Sequence, residues 1–364
     1  MRILIDINHP AHVHLFRNFA GEMMKQGHDV FFTTRRKEIS HLLLEQYELP
    51  YKVLGAHYKS MIGKLWGIIK YDFLLALVAL KFKPDLFLSM GSIYNSHVAF
   101  LFRKPNILLQ DTENATLQHK LSYPFADLIL NPKCYRKDLV EKQFKYDGYH
   151  ELAYLHPKRF EADSSILAEL GVAEGERYII MRFVSWNANH DVNHSGLTDV
   201  SKVKAVKTCE KYGKVFVTSE GELPEEIKKN QIKIPINKIH HAMAFASLLY
   251  GESATMASES AVLGVPAIFL DNDGRGYTDE QQAEFGLVFN FTESLEDQQK
   301  SIEVAEEILS TTNVKSWVEK RNVMLKDRID LTAFLVWLIN GYPETRSTLF
   351  SDHTIQGRFK ETRS

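Results

Sequence analysis

The sequence predicts an α/β protein built from two doubly wound domains facing a central cleft, and three observations carry that expectation. Short apolar runs alternate with longer amphipathic ones, as expected of parallel strands joined by helical crossovers. The alternation comes in two sets, separated by a polar stretch at about 153–163 that carries Pro157. At 364 residues the chain exceeds one ordinary hydrophobic core and suits two.

Strands of the first set are expected at Arg2–Ile7, Val30–Thr33, Tyr51–Leu54, Leu86–Met90, Asn106–Gln110 and Leu128–Leu130. Between the first two, Leu15, Phe16, Phe19, Ala20, Met23 and Met24 recur at helical spacing, and Gly27 ends that helix. The second set reads Tyr178–Val184, Lys214–Thr218, Leu248–Tyr250, Ala267–Leu270 and Leu287–Phe289. Trp317 to Ile339 reads as a closing pair of helices, and the last residues as a polar, frayed tail. The expected division is therefore 1–155, 156–340 and a tail at 341–364. Each domain is of the Rossmann-like kind.

Bulk properties narrow the function classes. A formal net charge of -2 argues against nucleic acid as a partner. Cys134 and Cys209 stand far apart, so reduced thiols are expected rather than a disulfide framework. The first apolar run, Ile3 to Ile7, is a short strand interrupted by Asp6 and is not read as a leader. A cytoplasmic location is the expectation. Leu65 to Leu80 contains Lys70 and Asp72, too charged and short to span a bilayer. Such a stretch reads first as a helix packed on the sheet. With Trp66 and several lysines across 59–83, peripheral contact with anionic lipid at the inner membrane face is the other reading.

Chemistry concentrates between Gly251 and Gln282. Strand Leu248–Tyr250 is followed by a tight turn, Gly251-Glu252-Ser253, and a short helix from Ala254 to Leu263 that Gly264 stops. Ligands of open α/β sheets bind beyond the carboxyl ends of strands, where this turn sits. The small residues Ser253, Ala254 and Thr255 leave first-turn amides uncovered, suiting a diphosphate at the positive end of the helix dipole. Glu259 follows Ser253 by six residues, roughly 9 Å along a helix, a reach from diphosphate to ribose. A plain β-α-β unit, with Ser253 as N-cap and Glu259 on a solvated face, fits the same residues.

Further candidates lie in other strand-end loops. After the first strand comes Asp6-Ile7-Asn8-His9-Pro10-Ala11-His12, with Asn8 and His9 as substrate contacts. A histidine at a helix start, as His12 is, is biased toward the neutral form a general base needs. Helix capping by His9 and His12 is the alternative. Asp111 and Glu113 follow strand Asn106–Gln110, as base, as acceptor ligand or as helix cap. Arg182 can neutralise a diphosphate. His190, Asp191 and His194 lack an established metal-ligand spacing, so no metal is expected. No cofactor is expected either.

The run Gly251-Glu252-Ser253-Ala254-Thr255-Met256-Ala257-Ser258-Glu259 through Gly264-Val265-Pro266 resembles the donor-binding motif of GT-B glycosyltransferases, in particular the N-acetylglucosaminyltransferase of peptidoglycan synthesis. Asp279-Glu280-Gln281-Gln282 resembles that enzyme's Asp-x-Gln-Gln. The resemblance implies that Glu259 holds ribose and that Gln281 and Gln282 hold the sugar. It also puts His12 where those transferases have a histidine, although the loop here lacks their glycines. Their Glu-x-Asn is matched in part near Glu113. The non-hydrolysing UDP-N-acetylglucosamine 2-epimerases, of the same fold, carry a histidine after the strand that corresponds to Tyr178–Val184, which keeps His190 as a candidate. Taken together, Asp6 to His12, Asp111-Thr112-Glu113 and Gly251 to Met256 resemble an archaeal and bacterial GT-B-like family of unassigned function, over nearly the whole chain.

What this implies is a metal-independent glycosyltransferase that uses a nucleotide-diphosphate sugar and an acceptor from cell-envelope or surface-polysaccharide synthesis. The alternatives are a sugar-nucleotide 2-epimerase, with Asp111 and Glu113 moving the C2 proton and His190 assisting nucleotide loss, and a non-catalytic sugar-nucleotide-binding protein.

Overall fold

The computed structural model describes residues 1–36, 39–56, 61–139, 141–173, 175–184, 194–232, 234–311 and 314–360. The chain divides into two units, Met1–Arg159 with Asp327–Ser364, and Phe160–Lys326. Each contains one all-parallel sheet flanked by helices, the α/β architecture expected from the alternation of apolar runs.

In the first unit the strands are β1 (Arg2–Ile7), β2 (Asp29–Arg36), β3 (Tyr51–Ala56), β4 (Leu86–Met90), β5 (Asn106–Leu109), β6 (Leu128–Pro132) and β7 (Gln143–Tyr146). Their order across the sheet is β3-β2-β1-β4-β5-β6-β7. The helices are α1 (Pro10–Lys25), α2 (Ser40–Gln46), α3 (Met61–Phe82), α4 (Ile93–Phe102), α5 (Thr116–Ser122) and α6 (Leu152–Leu155). The order runs outward from β1 to β3, then reverses at β4, so the crevice between the ends of β1 and β4 is a topological switch point. Helices divide accordingly: α1 packs on α2 and α6, while α4 packs on α3 and α5. Tyr71, Leu75 and Ala79 of α3 and Val98 and Ala99 of α4 meet Leu4 and Phe87 of the sheet in one apolar core.

The second unit carries α7 (Ser165–Glu169), β8 (Tyr178–Phe183), α8 (Asp199–Cys209), β9 (Lys214–Ser219), α9 (Ile239–Ala244), β10 (Leu248–Gly251), α10 (Ala254–Leu263), β11 (Ala267–Leu270), α11 (Gly276–Ala283), β12 (Val288–Phe291), α12 (Leu295–Ser310) and α13 (Val314–Leu325). The sheet order is β12-β11-β10-β8-β9, which places its switch point between β8 and β10. A core of Ile179, Met181, Val206, Tyr250, Ile268 and Leu309 fills the space between sheet and helices.

The C-terminal segment departs from expectation. Helix α14 (Leu331–Asn340) packs on α1 and α6 of the first unit, and α15 (Glu344–Ser351) follows it. Residues 341–360 are therefore not a free tail, because helical structure continues through Phe359. Arg159 explains the return. Its guanidinium binds Asp330, the N-cap of α14, with Nε 2.9 and 3.0 Å from the two carboxylate oxygens, and it also pairs with Glu22 of α1. The stretch read as a linker is thus anchored, with Leu152 to Leu155 buried.

A buried charge fixes the ends of β1, β2 and β4. Asp6 is fully buried and receives hydrogen bonds from Thr33 Oγ1 at 2.6 Å, Arg35 NH2 at 2.9 Å and the Ser92 hydroxyl. Arg35 also donates to the Ile7 carbonyl at 3.1 Å and lies 4.6 Å from the centre of the Tyr94 ring. Removing one partner of such a pair leaves an uncompensated buried charge, which costs about 3–5 kcal/mol. Asp6→Ala is expected to lower stability on that scale in urea unfolding of the full chain. Asp6→Ala with Arg35→Met is expected to lose less than the single change, since no orphan charge remains.

Candidate functional site

Two groups of side chains gather at strand ends, one in each unit. In the first, His9 caps α1 by accepting from the Ala11 amide at 3.2 Å, with Pro10 opening the helix. His12 sits in the first turn, 5.9 Å from His9 ring to ring, and its Nδ1 accepts from the Asn8 amide at 3.3 Å. Its remaining ring proton is therefore on Nε2. Burial, then the neighbouring His9, push the His12 imidazole well below its ordinary 6.5. Asn8 thus enters the site through its backbone amide.

Asp111 follows β5 and is buried. Its Oδ2 lies 2.9 Å from His150 Nδ1, and its Oδ1 accepts from the Thr112 hydroxyl at 3.0 Å. Burial alone would raise the Asp111 carboxyl, but His150 and Thr112 outweigh it and hold the group below the usual carboxylate range. With Asp111 ionised, His150 donates to it from Nδ1, and a neutral His150 then has its lone pair on Nε2. That atom is buried and has no hydrogen-bond partner among the described residues. Such an atom is explained by a bound water, an ion or a functional partner. His12 lies within electrostatic reach of both residues. Glu113 is turned elsewhere, with its carboxylate accepting from the Arg136 amide at 3.2 Å. Gly91, at the end of β4, has φ +62, and a Cβ there would meet the Gln118 and Gln110 amide nitrogens at 2.6 and 2.9 Å. The left-handed backbone there favours glycine, and any side chain would have to displace both glutamines.

In the second unit, Gly251 ends β10 against β8. A Cβ there would sit 2.1 Å from the Arg182 carbonyl oxygen, so the close approach requires glycine. Ser253 caps α10 by accepting from the Met256 amide at 3.3 Å. The amides of Ala254 and Thr255 precede any intrahelical acceptor. Glu252 is buried and holds the backbone around them, accepting from the Val184 amide at 3.0 Å and the Leu197 amide at 2.6 Å.

Several residues expected as ligands already have partners here. Glu259 is buried on α10, 2.8 Å from His240 Nε2, rather than solvated. Arg182 pairs with Glu220 at 2.5 Å. Gln281 is buried and donates to the Ser258 hydroxyl at 2.9 Å, while Gln282 accepts from the Asn290 amide at 2.6 Å. His190 and Asp191 lie outside the described residues. His194, Asp271 and Asp273 bring potential metal-ligand atoms within 4.8 Å of one another. Burial lowers the His194 imidazole, but the Glu293 carboxylate 2.5 Å from Nδ1 and the two aspartates more than reverse that. Protonation of His194, favoured by these carboxylates, would give the cluster its own cation.

Residues 1–331 match the family described as "Protein of unknown function (DUF354)". The chain belongs to that family. It is 27% identical over 283 residues to the uncharacterized protein MJ0665 of Methanocaldococcus jannaschii, covering 73% of this chain and 80% of that one. Among solved structures, it is similar to the UDP-GlcNAc 2-epimerase of Methanocaldococcus jannaschii in complex with UDP-GlcNAc and UDP, with a TM-score of 0.63 and 14% identity over 89% of this chain and 99% of that one. It is also similar to the glycosyltransferase SsfS6 of Streptomyces sp. SF2575, with a TM-score of 0.59 and 13% identity over 93% and 99% of the two chains. At such identities the likeness shows the fold, which is that of GT-B enzymes.

His150, missed by sequence reasoning, follows β7, whose residues Gln143-Phe144-Lys145-Tyr146 give no apolar run to announce a strand. The pKa directions carry a test. His12 is expected to remain neutral at pH 6, where an ordinary histidine is mostly protonated, as read by 15N chemical shifts of the imidazole. Because its folded-state value is depressed, the stability it contributes is full above about 6.5 and is lost as pH falls, since the unfolded chain takes up the proton first.

Proposed function

We propose that this DUF354 protein is a glycosyltransferase that takes a nucleotide-diphosphate sugar as donor. The observation that carries the reading is the start of α10. Two first-turn amides without intrahelical acceptors sit at the β8–β10 switch point, behind a turn that only glycine can make. An anionic diphosphate is what such a place binds. Support comes from proteins of the same fold crystallised with UDP-GlcNAc and UDP or with dTDP. Glu259, held by His240, is assigned to ribose, and its buried carboxylate must change partners or share them when the nucleotide enters.

The acceptor oxygen attacks the anomeric carbon while the bond from that carbon to the diphosphate oxygen breaks. The leaving diphosphate gathers negative charge, and the Ala254 and Thr255 amides with the α10 dipole stabilise it. The acceptor's proton goes to His150 Nε2, with Asp111 fixing the ring tautomer and stabilising the imidazolium. His12, neutral and carrying its proton on Nε2, is assigned as a hydrogen-bond donor rather than the base first expected of it. The acceptor is read as a hydroxyl of a cell-envelope glycan or lipid-linked intermediate, on the strength of the sequence resemblance.

Epimerisation at C2 is the less favoured reading. It needs acid–base groups free to work on the sugar, and Glu113 is held by the Arg136 backbone.

A panel of UDP-, GDP- and CMP-sugars offered to the full chain tests the proposal, with binding read by calorimetry and turnover by nucleotide release. Release that depends on an added acceptor is expected. Solvent deuterium entering C2 without an acceptor would instead identify an epimerase, and no binding across the panel would defeat the sugar-nucleotide assignment. Ala254→Pro removes one amide at a position where proline continues the helix, and Ser253 already has the extended backbone that a following proline requires. It is expected to fold normally and to weaken nucleotide binding about tenfold. His150→Gln is expected to spare binding and to reduce turnover about 100-fold or more.

A further inference from the structure

The outer face of α3 is apolar where helices covering a sheet are usually polar. Trp66, Ile69, Phe73, Leu77 and Leu80 are 45–65% exposed. At 100° per residue they fall within a sector of about 80°. Tyr71, Leu75, Val78 and Ala79, on the opposite side, are buried in the core. Phe100 and Leu101 of α4 and Leu117 of α5 are 67–69% exposed and belong to the same helical layer. Isolated exposed apolar residues are ordinary, but a continuous stripe backed by neighbouring helices marks an interaction surface.

Charge indicates what covers it. Across α3, α4 and α5 the one acidic side chain is Asp72, which is bonded to His97 at 2.8 Å. Basic residues accompany the stripe: Lys70 and Lys81 on α3 lie beside it on the helical wheel, Lys120 is on α5, and Lys83, Arg103 and Lys104 follow α3 and α4. No described helix is long and apolar enough to cross a membrane. A helix apolar on both faces, with a basic rim and its inner face already packed, suits the interface of an anionic bilayer, with Trp66 at headgroup depth. A second copy of this chain would instead bring like charges together around the apolar stripe.

We propose that the α3–α4–α5 layer of the first unit docks on anionic lipid, lying in the interface without spanning it. The full chain should sediment with vesicles of phosphatidylcholine containing phosphatidylglycerol, less so with phosphatidylcholine alone, and less again at high salt. Trp66 emission should shift to shorter wavelength on binding, a change lost in Trp66→Phe. Ile69→Glu with Phe73→Glu changes solvent-exposed positions only, so the fold should persist while partition falls at least tenfold. Lys81→Gln with Lys104→Gln should reduce it about fivefold per charge. Absence of partition at every composition would overturn the proposal. So would partition indifferent to lipid charge, or a concentration-dependent dimer in sedimentation velocity that Phe73→Glu dissociates.

Discussion

The first unit depends on how a full negative charge is accommodated at the end of its central strand. Asp6 lies where β1 meets the switch point, and burying a carboxylate there costs several kcal/mol unless partners surround it. Thr33 and Arg35 from β2 and Ser92 from the start of α4 supply them. Three elements distant in sequence are thereby held in one register, and the loops leaving β1 and β4 start from fixed points. Ser92 also caps α4 through the Asn95 amide, and Arg35 lies against Tyr94 in that helix's first turn. His12 and the Gly91 bend both belong to segments that issue from this anchor.

The second unit solves a similar problem with carboxylates that accept from backbone. Glu252 binds the amides of Val184 and Leu197, and Glu293 binds those of Ser195 and Gly196 as well as the His194 ring. Carboxylates at the ends of β10 and β12 thus hold the segment that re-enters after β8. Neither was singled out from sequence, because a glutamate after a strand looks the same whether it faces a ligand or a neighbouring amide. Glu259, Arg182, Gln281 and Gln282 illustrate the converse. Their types suited ligands and their positions matched a resembling family. Their present partners, His240, Glu220, Ser258 and the Asn290 amide, come from segments that sequence spacing does not connect to them.

What was legible followed from periodicity and backbone chemistry. Parallel strands and the α10 turn are local properties, and each is read from a few consecutive residues. Less legible were features that depend on pairing across the chain. The return of α14 to α1 rests on Arg159 meeting Asp330 and Glu22, a contact across 137 to 171 residues. His150 gains its meaning only from Asp111, 39 residues earlier. Leu65 to Leu80 was ambiguous for another reason. Its buried face packs on the sheet while a second apolar face is exposed, and hydrophobicity along the sequence does not separate the two.

With Arg182 paired to Glu220, the described residues offer the proposed diphosphate two amides and a helix dipole rather than a clamp of guanidinium groups. Charge-assisted hydrogen bonds contribute about 1.5–3 kcal/mol each, and the dipole adds about 1 kcal/mol. Two amides with the dipole therefore reach about 4–7 kcal/mol before the cost of association, which corresponds to millimolar or weaker nucleotide binding. Micromolar affinity then needs ribose and base contacts, so the proposed ribose contact of Glu259 would carry a large share of the binding. The same arithmetic bears on chemistry. Amides at a helix start bind the terminal phosphate better as the dianion left after the sugar departs than as the monoanionic sugar ester, and they need no reorganisation as it leaves. An arrangement that holds the intact donor weakly and the leaving group more strongly directs its modest interaction energy toward the transition state.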